Sequence, residues 1–314
     1  MSAFKTPSEA ETAKRVLANA EGTGMGRLLR VILRSPESGA LGATIVLSLA
    51  LSLLNPNFLT VQNLAFVARG FSFTAIAAMG ACMVITTGGI DLSVGSVMGL
   101  AGVVAAFLSQ QGLGTAASLA GGIIVGAVVG LFNGVIIAKA KIAPFIVTLG
   151  TLSIARGLVY VVTGGWPMQG FTKDMLFLGQ GFVAGFPVPV IIMAVLTLIM
   201  SWMLSRTTFG WYIYSLGGNE EASRLSGVPT DRVKIMVYSL AGILGAIGGV
   251  LLVARLGVGE TTAGLGYELV IIAASVIGGV SLQGGEGSAL GVVFGAALMG
   301  ILRNGLVMLG VTSF

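Results

Sequence analysis

The chain contains no histidine, one cysteine, and charged side chains at only 9% of its 314 positions. Without histidine, the commonest metal ligand and the usual switch near neutral pH are both missing, which argues against zinc-based hydrolysis. Cys82 alone cannot form an internal disulfide, and its place inside an apolar run reads as a small packing residue. No Gly-Lys dipeptide occurs, so the Walker phosphate-binding loop is absent and this polypeptide does not hydrolyse ATP by that route. Serines and carboxylates are scattered, with neither a Gly-x-Ser-x-Gly elbow nor a paired-carboxylate constellation. These absences argue against an enzyme, and no metal or cofactor site is expected in the chain.

What the chain has in quantity is apolar sequence. Hydrophobic residues make up 55% of it, and the charged fraction is far below the roughly 25% of a soluble domain. The pattern predicts an all-α, polytopic helical bundle of about nine or ten spans, each of about 20 residues. The expected spans are Gly39–Leu54, Leu64–Thr86, Val94–Leu108, Thr115–Ala138, Ile142–Thr163, Val188–Leu204, Val233–Leu252, Leu269–Val280 and Leu290–Leu309, the eighth too short to cross alone. Residues 1–38 form a tail and 39–314 the transmembrane domain, with a loop over 205–232. The polar stretch up to about Gly24 lacks the apolar core of a signal peptide. Met25–Leu33, carrying Arg27 and Arg30, suits a helix along the headgroups or a plain extension of the first span.

Placing the N-terminus in the cytosol puts three basic clusters on the cytosolic side. These are Arg27, Arg30 and Arg34; Lys139 and Lys141; and Arg206, Arg224, Arg232 and Lys234. Of the opposite loops, Asn55–Asn63 and Ser109–Gly114 hold no Lys or Arg and Gly164–Pro187 holds only Lys173, so the positive-inside rule selects this orientation. The net charge of +5 is then a topology signal, with no suggestion of nucleic acid.

Glycine organises the spans. Gly122, Gly126, Gly130 and Gly134 recur at every fourth position, and Gly291 with Gly295 repeats the spacing, which lets helix backbones pack closely within one bundle or across a dimer seam. The string Gly88-Gly-Ile-Asp-Leu-Ser-Val-Gly-Ser96 is echoed by Gly278-Gly-Val-Ser-Leu-Gln-Gly-Gly-Glu-Gly-Ser288 with a two-residue offset. Paired glycine interruptions in two halves are expected where broken helices line a passage. Candidate gate or pathway residues are therefore Gly88, Gly89, Asp91, Ser93, Gly278 and Gly279, with Asn133 and Asn304 as further polar positions. Asp91 also reads as the N-cap of the third span. Arg69, Arg156 and Arg303 lie among apolar residues, where snorkelling, an ion pair or a polar pathway would each account for them.

One charged helix interrupts this landscape. In Asn219-Glu-Glu-Ala-Ser-Arg-Leu-Ser-Gly227, Asn219 caps the start, Glu220 and Glu221 suit the positive end of the dipole, and Gly227 supplies a left-handed stop. Glu220 and Arg224 are four apart in the favourable order, and Ala222 with Leu225 makes a small apolar spot. Such a helix fits a groove on a partner, or serves as a solvated connector.

Three blocks together resemble the membrane-spanning permease subunit of bacterial ATP-binding-cassette importers for monosaccharides, of the ribose-type branch. They are Thr87–Ser96, the stretch from Gly266-Tyr-Glu-Leu269 to Gly278–Gly287, and Gly217–Gly227. In the last, Glu221, Ala222, Ser223 and Gly227 are similar to the coupling motif Glu-Ala-Ala-x-x-x-Gly, with serine at its second alanine. The resemblance extends from about Gly39 to Phe314 and is not specific for the sugar. It implies a permease homodimer in the bacterial inner membrane, with a separate cytoplasmic ATPase subunit that binds ATP and Mg and engages Glu220, Glu221, Ala222, Arg224 and Gly227. It also implies a periplasmic sugar-binding protein that delivers substrate. The family pattern continues past a motif like Val311-Thr-Ser-Phe314 into another hydrophobic span, a departure of this sequence from its kin. The rival readings are a gradient-driven carrier, for which buried Asp91 is the one good feature, and a lipid-modifying enzyme, which the isolated carboxylates disfavour.

Overall fold

A computed structural model describes residues 37–311; the expected N-terminal tail and headgroup helix lie outside the described residues. The helices are α1 (Ser38–Leu54), α2 (Val61–Thr86), α3 (Val94–Gln110), α4 (Gly114–Val135, continued by a π turn Ile136–Ala140) and α5 (Pro144–Thr163). Next come α6 (Lys173–Gln180), a hairpin of β1 (Phe182–Val183) and β2 (Phe186–Pro187), and α7 (Val188–Arg206). The rest of the chain forms α8 (Thr208–Gly218), α9 (Glu220–Leu225), α10 (Thr230–Leu256), α11 (Tyr267–Ile277) and α12 (Ala289–Met308).

Every expected span has a helix within a few residues of its expected bounds, but the number of full-length spans is lower than expected. Six helices among the described residues are long and apolar enough to cross a membrane: α2, α4 with its π turn, α5, α7, α10 and α12. The apolar α1, α3 and α11 are shorter. With 17 residues each, α1 and α3 reach about 26 Å, and α11, with 11, about 17 Å, against a hydrocarbon core of about 30 Å. α3 follows the first glycine break and α11 precedes the second, so length that would complete a span lies in the breaks. The stretch expected as a loop over 205–232 is instead largely helical: the Thr207 hydroxyl accepts from the Gly210 amide (3.2 Å) and starts α8.

The core forms around α2 and α10. From Ser72 to Thr86 every residue of α2 is buried, as expected for a helix that is apolar all round. α10 packs on α4, α2 and α3. The glycine stripe of α4 makes the first of these contacts: a side chain at Gly126 would strike Gly242 and Ala246, one at Gly130 the backbone of Tyr238, and one at Gly134 Ile235. Gly291 and Gly295 of α12 meet Gly278 and Ala274 in the same way. Both stripes therefore serve contacts within the bundle.

Candidate functional site

Both glycine breaks are closed by the same backbone device. At the end of α2, Gly88 N–H donates to Ile85 O (2.8 Å) and Gly89 N–H to Val84 O (3.0 Å), with Gly88 at φ 80°. At the end of α11, Gly279 N–H donates to Val276 O (3.0 Å) and Val280 N–H to Ser275 O (3.1 Å), with Gly279 at φ 92°. These are Schellman turns, whose left-handed position favours glycine. The two turns correspond with a shift of one residue relative to the echo noted in the sequence, Gly88 matching Gly279, and the same turn also closes helices at Gly112, Gly227 and Gly310. The breaks also touch: Gly285 N–H donates to Thr86 O at 2.9 Å.

Beyond the first break lies a buried polar node. Asp91 Oδ1 accepts from both the Ser93 amide (2.8 Å) and the Ser93 hydroxyl (2.6 Å). Ser93 Oγ in turn accepts from Asn133 Nδ2 of α4 (3.1 Å), and Asn133 Oδ1 accepts from Thr151 Oγ1 of α5 (2.6 Å). One turn earlier on α5, Thr148 Oγ1 donates to Ile90 O (3.2 Å) and accepts from Leu92 N–H (3.2 Å), holding the backbone of the break from both sides. Asp91, Ser93, Asn133, Thr148 and Thr151 are all buried. Asp91, Ser93 and Asn133 border a crevice that is also lined by Val97, Val129 and Gly242. Asp91 stabilises the turn that leads into α3 by accepting from the Ser93 amide, but the N-cap position of α3 is Ser93, which makes no side-chain cap bond, so the cap expected at Asp91 sits ahead of the helix. No basic side chain lies within ion-pair distance of it among the described residues.

Of the remaining pathway candidates, Gly89 is buried against the Tyr238 hydroxyl, and Gly278 is buried in a close backbone approach to Gly291. Asn304 is elsewhere. It exchanges amide hydrogen bonds with Asn63 (3.2 and 3.0 Å), tying α12 to the first turn of α2, about 35 Å along that helix from Gly88. Polarity inside an apolar segment singled out Asn304 as a pathway candidate, but did not say at which end of the bundle it lies.

The charged helix α9 forms as its caps dictate. Asn219 Oδ1 accepts from Ala222 N–H (2.9 Å), and Gly227 at φ 87° closes the other end while Val228 N–H reaches Ser223 O (3.0 Å). Glu220 pairs with Lys234 of α10 (2.6 Å), not with Arg224, because α10 returns alongside the first turn of α9. Glu221, Ala222, Arg224 and Leu225 are exposed, Leu225 at 83%. At the same end of the bundle Lys139 pairs with Asp231 (2.7 Å), joining the π turn of α4 to the start of α10.

The match to known proteins covers this whole arrangement. Residues 63–313 fit the family described as branched-chain amino acid transport system / permease component. The chain belongs to that permease family. The permease is 45% identical over 282 residues to the ribose import permease protein of Escherichia coli (strain K12), covering 88% of each chain. It is 43% identical over 271 residues to the ribose import permease protein of Bacillus subtilis (strain 168), covering 86% of this chain and 84% of that one. To the L-arabinose transport system permease protein of E. coli (strain K12) it is 37% identical over 278 residues, covering 88% and 85%. No solved structure matches the permease.

Sequence reasoning missed several residues of the permease that the geometry brings forward. Thr148 and Thr151 pass unnoticed because threonine is common in apolar helices, although their spacing of three places both on one face of α5. Arg255 lies over the rings of Phe66 (5.1 Å) and Phe73 (5.5 Å), and Arg69 over Phe182 (4.6 Å). Arg156 donates to the carbonyls of Thr261 (3.3 Å) and Ala263 (2.9 Å). Aromatic faces and loop carbonyls thus take the place of the ion pairs weighed for Arg69 and Arg156, and no ion pair to Arg303 is found among the described residues.

Proposed function

We propose that the permease carries a ribose-type monosaccharide across the bacterial inner membrane as part of an ATP-driven importer. Two copies frame the pathway, a separate cytoplasmic subunit binds and hydrolyses ATP, and a periplasmic sugar-binding protein delivers the substrate. The carrying observation is 45% identity to a ribose import permease over 88% of both chains. In this reading the end of the bundle bearing α9, Lys139 and Lys234 faces the cytosol, in accord with its basic clusters. The exposed face of α9, with Glu221, Ala222, Arg224 and Leu225, meets the ATPase subunit, while Gly227 fixes where that helix stops. The breaks at Gly88–Gly89 and Gly278–Gly279, with Asp91, Ser93 and Asn133 beside the first, form the gate on that side; Asn304 lies toward the opposite mouth. The ATPase cycle shifts the balance between two arrangements of packed helices, and the sugar passes when the breaks open to one side at a time. Sugar is held weakly on the way, because the lining offers few convergent polar groups.

The test is uptake of radiolabelled D-ribose, L-arabinose and D-allose by proteoliposomes holding the permease with its ATPase and binding protein. Accumulation of at least one sugar should require ATP inside the ATPase-accessible compartment. Accumulation driven by a proton or sodium gradient with no ATP present would overturn the proposal.

A further inference from the structure

Two glycines, Gly217 and Gly218, precede α9, and they differ in their surroundings: a side chain at Gly218 would meet open space, whereas Gly217 is tightly enclosed. A side chain at Gly217 would collide with Thr86 O at the end of α2 and with Gly285 N in the second break, so three backbones meet there without side chains between them. Gly284, in its turn, lies against Gly217 and the Gly88 amide. One turn back on α8, the Tyr214 hydroxyl donates to Gly287 O at 2.8 Å. The angle between α8 and α9 is held by the Ser215 and Ser223 hydroxyls, which share a 2.7 Å hydrogen bond. Gly285 N–H to Thr86 O then joins the two breaks to each other.

Each of these hydrogen bonds contributes little by itself. Their arrangement matters more. Close-packed backbone has low compressibility and passes displacement on without absorbing it in side-chain rotations. A push on α9 therefore arrives at Thr86, and five residues later at Asp91, by the same contacts that carry it to Gly285 and Gly287. We propose that Tyr214 and Gly217 are positioning residues of a rigid joint that delivers the displacement of α9 to both glycine breaks at once. The inference rests on the reading of α9 as the face that meets the ATPase subunit.

The experiment uses the permease complex with its ATPase and binding protein in proteoliposomes, with radiolabelled D-ribose as probe. Tyr214→Phe keeps the ring and removes only the hydroxyl. It should retain ATPase stimulation by loaded binding protein while the sugar delivered per ATP falls several-fold. Gly217→Ala should give the same split, and the double variant should be no worse than Gly217→Ala alone, because both act on one joint. Spin labels at Leu225→Cys and Gln283→Cys, in a Cys82→Ala background, should keep one separation in nucleotide-free and ATP-bound complexes, while labels at Leu225→Cys and Lys141→Cys change theirs. Unchanged sugar per ATP in Tyr214→Phe, or a 225–283 distance that shifts as much as 225–141, overturns the joint. Since Gly217→Ala strains a tight contact, Tyr214→Phe and the label distances decide the matter if that variant does not insert. The underlying docking reading fails by a different result, namely normal ATPase stimulation in Glu221→Arg.

Discussion

At Asp91, a single carboxylate oxygen serves two donors of Ser93, and this separates what its charge does from what its shape does. Asparagine caps about as well as aspartate. Asp91→Asn is therefore expected to keep most ATP-dependent uptake, whereas Asp91→Leu, which can neither cap nor accept, should lose most of it or leak sugar without ATP; vesicle uptake distinguishes the two. Uptake driven by a pH gradient and abolished in Asp91→Asn would mean instead that the charge couples transport. Asn133→Leu leaves the Ser93 and Thr151 hydroxyls without the amide that joins them, at a cost of about 1–3 kcal/mol, and should lower the midpoint of thermal unfolding of purified permease. Asp91, Ser93 and Asn133 stood out in the sequence because polar groups among apolar ones ask for partners. Which partners could not be read, since the node gathers side chains from the first break, α4 and α5 that lie up to 60 positions apart.

Among the elements, helix bounds were legible to within a few residues, because Asn219, Gly227 and the break glycines are local signals whose effect does not depend on the fold. The overlooked helix α8 shows the limit: Thr208–Gly218 mixes aromatic, polar and glycine residues without a clean period, and tertiary contacts at Tyr214 and Gly217 define it. The glycine stripe of α4 invites a direct test. Gly126→Leu drives a side chain into Gly242 and Ala246 of α10, and overpacking of this kind costs about 1–3 kcal/mol or more. A clear fall in thermal midpoint is expected, while Gly157→Ala, with open space where its side chain would point, should change little. On α9, Glu221→Arg places positive charge at the positive end of the helix and removes the acidic group proposed to meet the ATPase subunit. The variant should insert normally and lose stimulation of ATPase activity by loaded binding protein, as read in the reconstituted complex.

For the whole molecule, orientation is the property on which every assignment of side depends. In a Cys82→Ala background, an impermeant thiol reagent should label Ser226→Cys only from the cytosol and Gln169→Cys only from outside; reversed labelling would move α9 to the wrong compartment for an ATPase. Fold class and membrane residence follow from composition alone, but how much of each helix meets lipid does not, because α2 and α10 are enclosed by the others while α1 lies at the surface. That last helix has a consequence for the bilayer. Its apolar stretch is bounded by Glu37 and Ser38 at one end and Asn55, Pro56 and Asn57 at the other, and Val46, Leu53 and Leu54 are exposed along it. An exposed apolar element of about 26 Å is shorter than a hydrocarbon core of about 30 Å, so where it meets lipid the bilayer thins to match it. Transport rate and thermal midpoint in vesicles should therefore rise as acyl chains are shortened from eighteen toward about sixteen carbons, making membrane thickness itself a regulator of this protein.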